Sequence, residues 1–241
     1  MQLTVHTCLA EIDIVILAGG LGTRLRSVLS DRPKVLAPIG TRTFLDILLE
    51  RLASFGARRV ILSLGHLADE VTVHLKSYRG SMDIVCSVEP APMGTAGAIR
   101  FVASYVKSKT VLILNGDSLV GADLSAFVEA HRTSRAIGSV LCVRVPDSAR
   151  YGTVEIDANG RIAAFREKTG STVPGAINAG VYLADRPLLG RVCDGAGASL
   201  ERDVFQVLPP GTLAAYVGDF PFIDIGVPED LARAEAFVAG L

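Results

Sequence analysis

Short apolar runs alternate with segments of helical period from residue 12 to residue 131. Residues 12–17, apolar except for Asp13, end in Ala18-Gly19-Gly20, the pattern of a strand covered on both faces. Phe44, Leu45, Leu48, Leu49, Leu52 and Phe55 recur at helical spacing, and Gly56 follows as a stop. Residues 59–64 read as a second strand and 68–78 as a helix. Residues 83–88 are a third strand, followed by a Pro/Gly loop and a helix over 95–106. A fourth strand, 110–114, runs into Asn115-Gly116-Asp117, with another helix at 124–131. Strands separated by helices lie parallel through right-handed crossovers, so a mostly parallel sheet covered by helices is expected.

The rhythm changes after Ile137. Residues 139–145, 153–157, 162–166 and 177–183 read as strands with no helix between the first three. Ala158-Asn159-Gly160 is a hairpin signal, because Asn-Gly supplies positive φ readily. Ser199 is placed to cap a short helix, with Glu201 and Asp203 in its first turn, and Pro228 opens a last helix beside Glu229 and Asp230. The fold class expected is α/β: one Rossmann-like domain over 1–241 with a small antiparallel lobe, and a site in the groove between the two parts.

Composition narrows the functions open to such a fold. With 24 basic and 25 acidic residues the net charge is -1, which offers no general attraction to nucleic acid or to an anionic membrane surface. A polyanionic ligand must therefore be held by a local group of cations. No apolar run approaches the ~20 residues of a membrane span. The N-terminus lacks a basic segment followed by an apolar core, so no secretory leader is expected. Cys8, Cys86, Cys142 and Cys193 form no CxxC pair and read as buried, reduced thiols of a cytoplasmic protein.

The first strand ends in Leu17-Ala18-Gly19-Gly20-Leu21-Gly22-Thr23-Arg24. Glycines let backbone N–H groups close on a phosphate, and Arg24 adds a planar fork of donors. Two commoner loops do not match. The dinucleotide fingerprint needs glycine where Leu25 stands, and a P-loop needs Gly-Lys after four intervening residues. Downstream, Pro33 holds Lys34 where it can return a second cation to the same phosphates.

From these residues the chain resembles the sugar nucleotidyltransferases, also called NDP-sugar pyrophosphorylases. The resemblance rests on Gly19-Gly20-Leu21-Gly22-Thr23-Arg24-Leu25, Pro33-Lys34, Pro92-Met93-Gly94-Thr95-Ala96-Gly97 and Asn115-Gly116-Asp117. It continues through Tyr151-Gly152, Glu167-Lys168, Asn178-Ala179-Gly180 and Asp224-Ile225-Gly226, nearly the whole chain in the family's order. Ser27-Val28-Leu29-Ser30 departs from the family's frequent Pro-Leu-Thr, a difference bearing on nucleotide subclass and not on phosphate binding.

The resemblance implies a reaction: a nucleoside triphosphate plus a sugar 1-phosphate gives a nucleotide sugar and pyrophosphate. It assigns about 11–135 to the nucleotide and about 136–241 to the sugar phosphate. Leu17, Ala18, Gly19, Gly20, Gly22, Thr23, Arg24, Lys34, Glu89, Gly94 and Thr95 would line the nucleotide site. Asn115, Gly152, Glu167, Lys168 and Asn178 would take the sugar phosphate, and Asp117 and Asp224 would hold Mg2+. Arg24, Lys34, Asp117 and Lys168 would be catalytic, by holding two polyanions together and neutralising developing charge.

Glu89 opens the loop that by resemblance faces the base. A carboxylate only accepts hydrogen bonds, and guanine offers two adjacent donors, which favours GTP. The alternative is that Glu89 merely ends a strand in solvent. Residues 17–25 and 33–39 look most like the heptose 1-phosphate guanylyltransferases of surface-polysaccharide synthesis, so a manno-configured sugar is expected, heptose first and mannose second. Two rival readings are a non-catalytic sensor of nucleotide sugars and a transferase acting on a non-sugar phosphate. The first should have lost a charged position, yet all are present; the second might lack the Asn178 pattern. A homodimer is the assembly considered.

Overall fold

The computed structural model describes residues 7–20, 22–29, 32–166, 170 and 172–241. The chain begins with β1 (Asp13–Ala18), a 3-10 turn at Thr23–Leu25, α1 (Arg26–Leu29), a second 3-10 turn at Lys34–Leu36, and a short ribbon of β2 (Pro38–Ile39) and β3 (Arg42–Thr43). Alternation follows through α2 (Phe44–Ser54), β4 (Arg59–Leu64), α3 (Ala68–Leu75), β5 (Asp83–Val88), α4 (Gly94–Val102), β6 (Thr110–Asn115), β7 (Ser118–Val120) and α5 (Leu124–Ser134). The remainder is β8 (Gly138–Val145), β9 (Thr153–Ile156), β10 (Ile162–Arg166), β11 (Gly175–Asp185), α6 (Arg186–Asp194), β12 (Leu213–Gly218), β13 (Phe222–Asp224) and α7 (Pro228–Ala239).

Among the described residues, nine strands form one sheet, in the order β10-β9-β11-β6-β1-β4-β5, with β8 branching from β11 and β12 pairing with β8. β1 runs parallel to β4 and β6, and β4 parallel to β5. β11 lies antiparallel to β6 along residues 181–185 and antiparallel to β8 over most of its length. One long strand thus welds the antiparallel part to the parallel part, and the expected α/β class with a mostly parallel central sheet is what the chain forms. The β9–β10 hairpin turns at Gly160, whose φ is 72°.

Side-chain alternation along β1 explains how the sheet is covered. Ile14 and Ile16 pack with Leu45, Leu49 and Phe127 on one face, whereas Val15 meets Ile99, Val102 and Leu188 on the other. Helix α2 starts where Thr43 and Asp46 cap each other: the Thr43 hydroxyl accepts from Asp46 N, and the Asp46 carboxylate accepts from Thr43 N. It stops at Gly56, whose φ of 82° suits a residue without Cβ. A third apolar cluster, with Phe44, Ile47, Leu48, Leu119, Ile223 and Ala234, ties α2 and α7 to a two-stranded ribbon of β7 and β13.

Several expectations need correction. The helix read over 68–78 ends at Leu75, and that over 95–106 passes at Ala103 into a 3-10 turn. Helix α6, whose buried Leu188, Leu189 and Val192 fall at helical spacing, is an element the sequence expectations omit; β12 pairs parallel with β8, so the second half is not purely antiparallel. Ser199 does cap a turn, accepting from Arg202 N, but the turn is π-helical. Of the four free cysteines only Cys142 is buried, and burial pushes its thiol up to about 12; Cys193 is exposed.

Candidate active site

The loop after β1 lies at the carboxyl end of the central strands, where open α/β sheets place their ligands. Gly22 has φ 58°, and a Cβ there would meet the Lys34 side chain at 3.8 Å, so the Pro33-Lys34 turn does come back to the glycine loop. Gly116 closes on the same loop, its N–H donating to the Leu17 carbonyl at 2.8 Å.

Two aspartates meet beside this loop. Strands β7 and β13 pair antiparallel with Asp224 opposite Ser118, and Ile225 N donates to the Asp117 carbonyl at 2.9 Å. Residues far apart in sequence are thereby locked side by side. The ammonium of Lys34 donates to Asp117 Oδ2 at 2.6 Å and lies 3.7 Å from Asp224 Oδ1. Burial and the neighbouring Asp117 carboxylate push the Asp224 carboxyl above its ordinary value, against the pull of Lys34, the Gly226 N–H and Arg24. One ammonium between two carboxylates leaves negative charge uncompensated, and hard oxygen donors of this kind suit a divalent cation. Arg24 is exposed and makes no ion pair among the described residues.

A cavity of about 300 Å3 opens from Asp117 and is lined by Leu17, Gly19, Gly20, Glu89, Gly94, Thr95 and Asn115 among others. Glu89 is 9% exposed, so the reading that it ends a strand in solvent is corrected. Its Oε1 accepts from the Ser63 hydroxyl at 2.9 Å and its Oε2 from Met93 N at 3.2 Å. Gly94 begins α4 at φ 69°, where a Cβ would strike the Ala198 carbonyl. The Thr95 hydroxyl accepts from Leu200 N at 2.8 Å, which ties the loop to the segment after α6.

Asn178 lies on β11 just before a register break. Its Oδ1 accepts from Gly180 N at 2.9 Å, and its amide donates to the Tyr182 hydroxyl at 2.8 Å. That hydroxyl donates to Glu201, and burial pushes its acidity far down, the phenol being held well above its ordinary value. Gly180, at φ 72°, has no room for a Cβ against the Asn115 amide. Gly152 immediately precedes β9, where a Cβ would meet the Arg166 carbonyl at 2.8 Å. Asn178 and Gly152 do not line the 300 Å3 cavity. Leu21, Glu167 and Lys168, and the side chain of Thr23, lie outside the described residues.

Residues 13–239 match the family model described as nucleotidyl transferase. The chain belongs to the nucleotidyl transferase family. This nucleotidyl transferase is 36% identical over 232 residues to a mannose-1-phosphate guanylyltransferase of Mycobacterium tuberculosis, covering 94% of this chain and 64% of that protein. It therefore spans somewhat under two thirds of that relative's length. It is 34% identical over 225 residues to a D-glycero-alpha-D-manno-heptose 1-phosphate guanylyltransferase of Aneurinibacillus thermoaerophilus, covering 93% and 97% of the two chains. Among solved structures, HddC from Yersinia pseudotuberculosis complexed with GMP-PN superposes with a TM-score of 0.83 at 34% identity, covering 93% of this chain and 98% of that one. No helix among the described residues is long and apolar enough to cross a membrane.

Ser63 was invisible to the sequence reading of this nucleotidyl transferase, although a signal exists. A lone hydroxyl in the doubly buried run Arg59–Leu64 must find a partner, and that partner is Glu89.

Proposed function

We propose that this nucleotidyl transferase moves a guanylyl group from GTP to a manno-configured sugar 1-phosphate, D-glycero-alpha-D-manno-heptose 1-phosphate first, giving GDP-heptose for surface polysaccharide. The observation that carries the reading is the meeting of Asp117, Asp224 and Lys34 at the mouth of a cavity floored by Glu89. Relatives of nearly the same length that bear the heptose name support the sugar. A mannose 1-phosphate substrate is the second reading, favoured by the 36% identical mycobacterial relative. The two sugars differ by one carbon, a difference that pockets reject weakly.

In the reaction an oxygen of the sugar 1-phosphate attacks the α-phosphorus in line, the bond to the β-phosphate oxygen breaks, and pyrophosphate leaves. The nucleophile is already an anion, so no side chain has to take a proton. Asp117 and Asp224 would hold magnesium, whose chemistry there is to neutralise phosphate charge as it shifts toward pyrophosphate. Lys34, which here bridges the two carboxylates, would direct its ammonium to the α-phosphate. Arg24, exposed beside the loop, closes on the β- and γ-phosphates. Lys168 takes the sugar phosphate and Glu167 the sugar hydroxyls, with Asn178 and the backbone at Gly152 shaping the pocket. Residues of about 11–135 hold the nucleotide and those of about 136–241 the sugar phosphate. Glu89 accepts from guanine N1–H and N2–H. The reading places the work in the cytoplasm, and light scattering would test for a homodimer.

Pyrophosphate release across a matrix of nucleoside triphosphates and sugar 1-phosphates tests the proposal. GTP with heptose or mannose 1-phosphate should be fastest. If UTP, dTTP or CTP outruns GTP with every sugar, the base assignment falls; if glucose 1-phosphate wins with GTP, the sugar assignment falls alone.

A further inference from the structure

Ser63 sits on β4 in register with Leu17 of β1 and Ser87 of β5, and it is fully buried. Its hydroxyl makes one hydrogen bond among the described residues, the donation to Glu89 Oε1. Every neighbour on its own strand from Val60 to Leu64 is apolar and buried. A hydroxyl in that setting costs stability unless bonded, so its presence ties it to the carboxylate.

The rest of the Glu89 cradle is equally defined. Met93 N donates to Oε2 from the loop that enters α4. Gly19 lies so close that a Cβ there would stand 2.6 Å from Oε1. Gly65, two residues after Ser63, would likewise strike the Gly19 carbonyl at 2.6 Å if it carried a Cβ. The carboxylate is thus held from β4, from the α4 loop and against the glycine loop at once. An ionised carboxylate has about four lone-pair sites, two on each oxygen. Ser63 occupies one on Oε1 and Met93 N one on Oε2, which leaves one acceptor site on each oxygen. Two adjacent acceptors match two adjacent donors on a purine edge, N1–H and the 2-amino group.

We infer that Ser63 is a positioning residue for base selection: its hydroxyl holds Glu89 in the rotamer that presents both oxygens to a 2-aminopurine. The inference rests on the base assignment to Glu89 made above. A glutamate has three side-chain torsions to order, and Ser63, together with Met93 N, fixes them in advance and so removes an ordering cost from binding. Ser63 acts through Glu89 and touches no substrate itself.

ITP, which keeps N1–H but lacks the 2-amino group, reads this geometry directly. The measured quantity is kcat/KM for GTP over that for ITP, in wild type, Ser63→Ala, Glu89→Gln and Ser87→Ala. Ser63→Ala should lower the ratio about tenfold, with the KM for the sugar 1-phosphate unchanged within about twofold. Glu89→Gln should lower it at least as far. Ser87→Ala, which removes a buried hydroxyl from the adjacent strand, should leave it unchanged. Melting temperatures of all four proteins show that each is folded. If Glu89→Gln abolishes the preference but Ser63→Ala keeps it, Ser63 is packing alone and the inference is overturned while the base assignment stands. An equal loss in Ser87→Ala overturns it too, as a general effect of strand packing. If Glu89→Gln leaves the preference intact, the base assignment itself is wrong and the inference falls with it.

Discussion

The two ends of the central sheet treat aspartate in opposite ways. At the amino end, Asp13 starts β1 and is 7% exposed. Its carboxylate accepts from Lys107 N and Ser108 N and lies 3.4 Å from an Arg59 nitrogen. Burial alone would raise its pKa, but these partners outweigh burial and hold it below the ordinary value. At the carboxyl end, Asp117 and Asp224 share one ammonium, and Asp224 is pushed up. The first arrangement is complete and contributes stability. The second lacks positive charge and stands ready for ligands that bring it.

The widest separation between the two ends should appear on neutralising one carboxylate at the carboxyl end. Asp117→Asn should lower turnover about a thousandfold at saturating magnesium, roughly 4 kcal/mol of barrier, while melting close to wild type. Retention of more than a tenth of the rate would remove Asp117 from the metal. Arg24→Ala and Lys34→Ala should each slow turnover by about a hundredfold, near 3 kcal/mol for a preorganised donor. Lys34→Ala should also lower the melting temperature of metal-free protein, because it leaves two carboxylates facing each other; Arg24→Ala should not. Equal melting behaviour would show that Lys34 does not compensate the aspartates.

The amino end should give the reverse pattern. Asp13→Asn should cost about 2 kcal/mol of stability in urea unfolding, with KM for both substrates unchanged. Since the native pKa of Asp13 is depressed, its contribution is full above the unfolded value and is lost as pH falls through the native one. Smallest and opposite in sign is Asp224→Asn. A raised native pKa means that ionised Asp224 weakens metal-free protein, so stability falls as pH rises through the native value. The amide should therefore gain about 1 kcal/mol near neutrality, roughly 2–4 °C in Tm, and the gain should vanish in acid. A loss of stability at neutral pH would show that Asp224 is already well compensated.

How far the sequence foretold this arrangement depended on whether a signal was local. Strands Arg59–Leu64 and Asp83–Val88 have the expected bounds, because Arg58 and Gly65 flank the first and Asp83 and Glu89-Pro90 bound the second. The amphipathic α2 with its Gly56 stop was equally legible, although its Thr43–Asp46 cap appears only in the structure. The glycine loop and Asp117 stood out because their residue types sit at the carboxyl ends of strands. What stayed hidden depends on pairing at a distance. That β11 joins the antiparallel strands to β6 follows from register, which no local pattern encodes. The partnership of Lys34 with Asp117, and of Ser63 with Glu89, needed the strand order before either could be read. Strand β12, with the small residues Ala214 and Ala215 at its centre, gave too weak an apolar signal to register.

The short β7–β13 ribbon also bears on synthesis of the chain. A ribosome releases Asp117, Lys34 and the glycine loop well before Asp224 emerges, and the sheet core around β1, β4 and β6 is complete by then. A nascent or truncated chain that stops short of β13 would leave the cavity mouth with one carboxylate and Lys34 already paired to it. The second carboxylate of the pair would then arrive only with the last strand, which closes on Asp117 through the Ile225 N–H.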